Sequence, residues 1–127
     1  MAHFSFTKVV VDDLEAAAAF YTATFGLEEQ FRVDGEIAGL EMAEIVYAPT
    51  AAGAGRFILM RYAGPTGAPA GVVPGFRTDD VDALFARAVA AGGTVAQAPS
   101  DRPEHGHRIG FLRDPEGRLI EVAQPLG

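Results

Sequence analysis

His105 and His107 stand two apart in Pro103-Glu104-His105-Gly106-His107, and strand alternation would present both imidazoles on one face. That is how a two-nitrogen metal site begins, with His3 as a distant third donor. A closed site needs three or four donors, so two histidines in a loop-like stretch are read as solvated. The chain contains no cysteine, which excludes thiolate metal sites, disulfides and a cysteine nucleophile. Ser5 and Ser100 lie in no G-x-S-x-G elbow. There is no phosphate-binding G-x-G-x-x-G or G-x-x-x-x-G-K-[ST], and no H-E-x-x-H. Arg102, Arg108, Arg113 and Arg118 are interleaved with Asp101, Glu104, Asp114 and Glu116. Such mixing predicts a solvated, salt-bridged face rather than an anion site.

The elements that must hold these residues come in two similar series. Phe4–Val11 is β-branched and aromatic and reads as a strand. Asp12-Asp13 then offers caps to a helix over Leu14–Phe25, where Leu14, Ala17, Ala18, Tyr21 and Phe25 make one apolar stripe. Gly26 suits a left-handed C-cap. Strands are expected at Glu28–Val33, Leu40–Ala48 and Arg56–Tyr62, with a turn at Asp34-Gly35. A Gly/Pro-rich linker spans residues 64–70. The order then restarts. Val72–Thr78 is a strand whose Pro74 favours a sheet edge. Asp79-Asp80 caps a helix with Val81, Leu84, Phe85 and Ala88 on one side, ended by Gly92-Gly93. Thr94–Gln97, a loop over Ala98–Gly106, His107–Leu112, the turn Asp114–Gly117 and Leu119–Ala123 complete it. The pattern predicts an α+β fold of two tandem βαβββ modules, 1–63 and 71–127, within a single domain.

The 127 residues suit one domain with its own core, 49% of them hydrophobic. A net charge of −7 argues against a broad nucleic-acid footprint. No apolar run approaches the ~20 residues of a membrane span, and Met1-Ala2-His3 does not read as the start of a signal peptide. A cytoplasmic location is expected.

Residues 9–27 (VVVDDLEAAAAFYTATFGL), 75–93 (GFRTDDVDALFARAVAAGG) and 108–122 (RIGFLRDPEGRLIEV) resemble the vicinal oxygen chelate superfamily. Its members include glyoxalase I, bleomycin-resistance proteins and extradiol dioxygenases. The resemblance implies paired modules whose sheets curl around a cup, usually in a homodimer. It also implies metal-ligand positions on the first and last strand of each module. Here those positions fall on Phe6, Leu59, Val73 and Glu121, and of these only Glu121 can bind a metal. The resemblance therefore implies no metal cofactor and no glyoxalase I or dioxygenase chemistry of the usual kind.

With Phe6 turned into the cup, alternation adds Lys8, then Phe57 and Arg61 beside Leu59, and Arg77 beside Val73. The expected pocket is apolar at one level (Phe6, Phe57, Leu59, Val73), with Lys8, Arg61 and Arg77 near Glu121. His107 and Arg108 contribute from the preceding loop and strand. Glu121 is expected to pair with one of those cations, and is the best candidate for a catalytic base. The reading that follows is a metal-free protein binding an aromatic or antibiotic-like small molecule. The alternative is a lyase, isomerase or dioxygenase-like enzyme using Glu121 with a non-standard metal or none.

Overall fold

The computed structural model describes residues 4–37, 40–64 and 72–127. Its order is β1 (Phe6–Val10), α1 (Leu14–Phe25), β2 (Glu29–Ile37), β3 (Leu40–Tyr47), β4 (Arg56–Tyr62), β5 (Gly75–Arg77), α2 (Val81–Ala90), β6 (Thr94–Arg102), β7 (His107–Arg113) and β8 (Leu119–Pro125). Each half forms a four-stranded sheet, β1-β4-β3-β2 and β5-β8-β7-β6. In each, the strand before the helix pairs in parallel with the last strand of its module, and the other pairs are antiparallel. The two βαβββ modules expected from the pattern are therefore present. His3 and most of the 64–70 linker lie outside the described residues.

The caps form as their residue types require. Asp13 and Asp80 each accept at 3.0 Å from the amide three residues on, satisfying a helix N–H that has no internal partner. Gly26 closes α1 at φ 69°, in the left-handed region. Buried side chains of both modules make one apolar cluster, from Val9, Phe20, Tyr21 and Leu59 to Leu84, Phe85, Leu112 and Val122. Both helices sit in it, so the helix-bearing faces of the two sheets share a core and their other faces point away from each other.

Three boundaries differ from the sequence reading. Asp34-Gly35 is not a turn: both residues are in the ladder, opposite Ala43 and Met42. The hairpin reverses further on because β2 and β3 are longer than their apolar runs. Residues 98–102 are not loop but continue β6, whose pairing with β7 shifts between Val95 and Gln97 and again between Gln97 and Ser100. Those irregularities at a sheet edge tolerate Pro99. The strand expected at Val72–Thr78 shrinks to three residues after Pro74, at the edge position.

The modules are locked by a polar network under the Asp114–Gly117 turn. Asp114 Oδ1 accepts from the Glu116 and Arg118 amides at 3.0 and 2.9 Å, and Oδ2 from Tyr21 Oη at 2.9 Å and Arg118 Nη1 at 3.0 Å. The second Arg118 amino group donates to the Val10 carbonyl. Glu116 accepts from the Asp12 and Asp13 amides. Asp114 and Arg118 are each only 3% exposed. Arg118 is thus no part of a solvated face: its length spans the gap between β8 and β1.

Candidate functional site

Strand register assigns every candidate to a face. Phe6 pairs with Arg56, Lys8 with Ile58, Val9 with Leu59 and Val10 with Met60. Glu44 and Val46 stand opposite Met60 and Ile58. Paired residues share a side, so the outer face of the first sheet carries Phe6, Lys8, Ile58, Met60, Glu44 and Val46. Leu59 is fully buried on the other side, in the core, with Phe57 packed against the same cluster. The expected grouping of Phe6 and Lys8 with Phe57, Leu59 and Arg61 is therefore off by one residue. The residues beside Phe6 on β4 are Arg56 and Ile58. Arg61 lies toward the helix side and borders a hollow of about 490 Å³ with Asp34 and Glu41.

In the second module the grouping is as alternation implied. Glu121 pairs with Gly75 on one side and Phe111 on the other, and Arg77 with Ala123. Glu121, Arg77, Ile109, Phe111 and His107 share the outer face of this sheet. Val73, just before β5, is 53% exposed. Arg108 points the other way, toward α2, where it binds Asp82 at 3.1 Å and Asp101 at 3.0 Å. These carboxylates raise its already high pKa. Both ion pairs hold Arg108, expected as a ligand contact, on the helix side of the sheet, away from the face that carries Glu121. His107 is fixed by its Nδ1, 2.7 Å from the His105 carbonyl.

The expected pairing of Glu121 also fails. Among the described residues its carboxylate has no ion pair and no side-chain hydrogen bond. Lys8 instead binds Glu44 at 2.9 Å, and Glu44 is buried at 7% exposure. Sequence reasoning missed Glu44. A carboxylate in the apolar run Met42–Tyr47, on the phase of Val46, was the signal for it. The grouping of Lys8 with Glu121 that alternation drew is not present: Lys8 binds Glu44 on the first sheet, and Glu121 lies on the second.

The four positions that the resemblance assigns to the family's metal ligands are Phe6, Leu59, Val73 and Glu121. Phe6 and Glu121 lie on different sheets, and Leu59 faces the core. Among the described residues no three His, Cys, Asp or Glu side chains come together to hold an ion. Three of the four side chains have no donor atom, so this set does not fit a divalent metal.

Two βαβββ modules with this motif set define the class. The chain belongs to the Glyoxalase/Bleomycin resistance protein/Dioxygenase superfamily, whose family model matches residues 1–122. A glyoxalase family protein from Bacillus cereus has the same fold, with a TM-score of 0.83 at 22% identity over 100% of this chain and 96% of its own. TnmS3, an antibiotic binding protein from Streptomyces sp. CB03234, is 30% identical with a TM-score of 0.70, covering 98% of this chain and 97% of TnmS3. CFP32 of Mycobacterium tuberculosis, whose name marks it as a proposed glyoxylase, is 46% identical over 50 residues. That stretch covers 39% of this chain and 19% of CFP32.

Proposed function

We propose that the protein binds a small organic molecule, aromatic or antibiotic-like, without a metal, on the outer faces of its sheets. The observation that carries this reading is that Phe6, Leu59 and Val73, which the resemblance puts at the family's donor positions, offer no metal-binding atom. Around Phe6, the outer side of the first sheet carries the buried apolar side chains of Ile58, Met60 and Val46 and one ion pair, between partly exposed Lys8 and buried Glu44. An apolar wall with a few fixed polar groups suits an organic ligand. The full-length likeness to TnmS3 supports the same reading.

A homodimer is part of the proposal. Each outer face is half a cup, and a second copy that sets its second sheet over the first sheet would bring Glu121 and Arg77 opposite Phe6 and the Lys8–Glu44 pair. The location proposed is the cytoplasm; no helix among the described residues is long and apolar enough to cross a membrane. Elemental analysis of protein purified without metal affinity resin, with thermal melts in added Ni²⁺, Zn²⁺, Mn²⁺ and Fe²⁺, tests the metal-free claim. Trace metal and unchanged melts are expected, since only a ligand of the folded state raises the melting temperature. One metal per chain with an upward shift would overturn it. A panel of aromatic antibiotics is then screened by the same melts, and sedimentation reads the oligomeric state.

A second reading rests on the unpaired, half-buried carboxylate of Glu121. A carboxylate without a partner is free to act as a general base in a lyase or isomerase. Turnover that disappears in Glu121→Gln with unchanged stability would favour it.

A further inference from the structure

A groove of about 600 Å³ runs between the modules beside the end of α1, with Phe25, Phe57, Phe76, Arg56, Arg77 and Arg87 among its walls. It borders the cup, sharing Arg56 and Arg77 with the outer faces, but its aromatic wall lies elsewhere. Phe57 and Phe76 lie on the helix-bearing sides of their sheets, and Arg87 is on α2. We infer that this groove is a binding site for a flat aromatic carboxylate.

The aromatic side of the argument is geometric. Phe25 stacks on Phe76 with ring centroids 3.9 Å apart and planes 14° from parallel. Phe57 meets Phe76 edge-on at 5.6 Å. These rings come from α1, β4 and β5, so the wall they make exists only where the modules meet. A planar ring bound there would extend a stack already begun. The volume is within the roughly 300–1,000 Å³ usual for small-molecule pockets.

The charge argument is independent. The chain has ten basic residues and a net charge of −7. Lys8, Arg32, Arg108 and Arg118 form ion pairs. Among the described residues six arginines do not, Arg61, Arg102 and Arg113 elsewhere and Arg56, Arg77 and Arg87 together around this groove. Arg56 donates to neutral Gln30, and Arg87 reaches only the Thr24 carbonyl, at 3.4 Å. No Asp or Glu lines the groove. Three guanidinium groups left unneutralised around an aromatic wall, in an acidic protein, select an anion with a flat apolar body. The planar fork of arginine fits a carboxylate with two parallel hydrogen bonds.

The test is titration of the full chain with 2-naphthoate and with 2-naphthamide, its neutral counterpart, followed by fluorescence and calorimetry. The carboxylate is expected to saturate one site per chain and the amide to bind at least about tenfold more weakly, the loss expected when a charge-assisted pair is removed. Arg87→Gln should weaken naphthoate by a similar factor, and Arg87→Lys should recover part of it. Arg32→Gln, which removes the same charge from outside the groove, should leave binding unchanged. Circular dichroism checks that each variant is folded. Equal binding of acid and amide, equal effects of Arg87→Gln and Arg32→Gln, or no saturable binding at millimolar naphthoate would each overturn the assignment. Because Arg87 is on neither outer face, its loss separates this site from the cup.

Discussion

Replacing Arg118 with methionine removes a cation held 3.0 Å from Asp114 where both groups are 3% exposed. Breaking a buried pair by deleting one partner costs about 3–5 kcal/mol, because the remaining charge is left desolvated. Asp114 would keep three of its donors, the amides of Glu116 and Arg118 and the Tyr21 hydroxyl, which places the loss at the lower end. The Val10 carbonyl also loses its guanidinium donor. A loss of about 3 kcal/mol is expected, and for a domain of this size that is a melting temperature roughly 10–15 °C lower. Urea unfolding followed by circular dichroism, at one fixed protein concentration because self-association shifts apparent stability, measures it. The midpoint should fall with little change in slope. The double variant Asp114→Asn/Arg118→Met should regain more than half the loss, since it removes the stranded charge as well. A loss under about 1 kcal/mol for Arg118→Met would refute the view that this pair clamps the modules together.

Burial, and next the charge and hydrogen bond of Asp114, push the Tyr21 phenol far above its ordinary value of 10.0. Above roughly pH 10 the unfolded chain then binds fewer protons than the folded one, so stability falls by about 1.4 kcal/mol per pH unit from this group, and is fully present below that pH. Tyr21→Phe should flatten the decline measured by urea midpoints between pH 8 and 11, leaving the part due to Tyr47, which burial also raises; equal slopes in the two proteins would contradict this. Gly110→Ala would place a methyl 2.6 Å from Phe85 Cζ and 3.1 Å from Pro99 Cγ, and Phe85 is fixed in the core, so a loss of about 1–3 kcal/mol is expected in denaturant melts. Gly75→Ala, with nothing within 4 Å, is the control and should stay within about 0.5 kcal/mol. Asp80→Ala deletes the α2 cap bond to the Ala83 amide and should cost about 1 kcal/mol by the same assay.

What could be read along the chain was what local physics decides. Asp13 and Asp80 had to cap because short carboxylates before an apolar stripe satisfy free amides. Gly26 had to end α1 because it tolerates positive φ. The repeat of strand, double aspartate and helix implied two modules, and the motifs implied the family. Length was harder. β6 continues past Pro99 because an edge strand can bulge, and Asp34-Gly35 stays in the ladder because Ala43 and Met42 pair with it; neither is visible in one strand's own residues.

The candidate site was half legible for a related reason. Alternation says which residues of a strand share a face, and it grouped Glu121 with Arg77's neighbours and Phe6 with Lys8 as the structure does. It cannot say which set on one strand joins which set on the next, because that depends on register. One residue of slip put Leu59 and Phe57 in the core and Ile58 and Met60 beside Lys8. Nor can it say where the helices dock. Sequence alone determined the modules and the caps, both set by residue type and short spacing. Only the tertiary structure decided that the outer faces diverge, that Lys8 meets Glu44 rather than Glu121, that Arg118 is buried, and that three unpaired arginines converge on a wall of phenylalanines. Those are contacts between residues far apart in the chain, and no local preference encodes them.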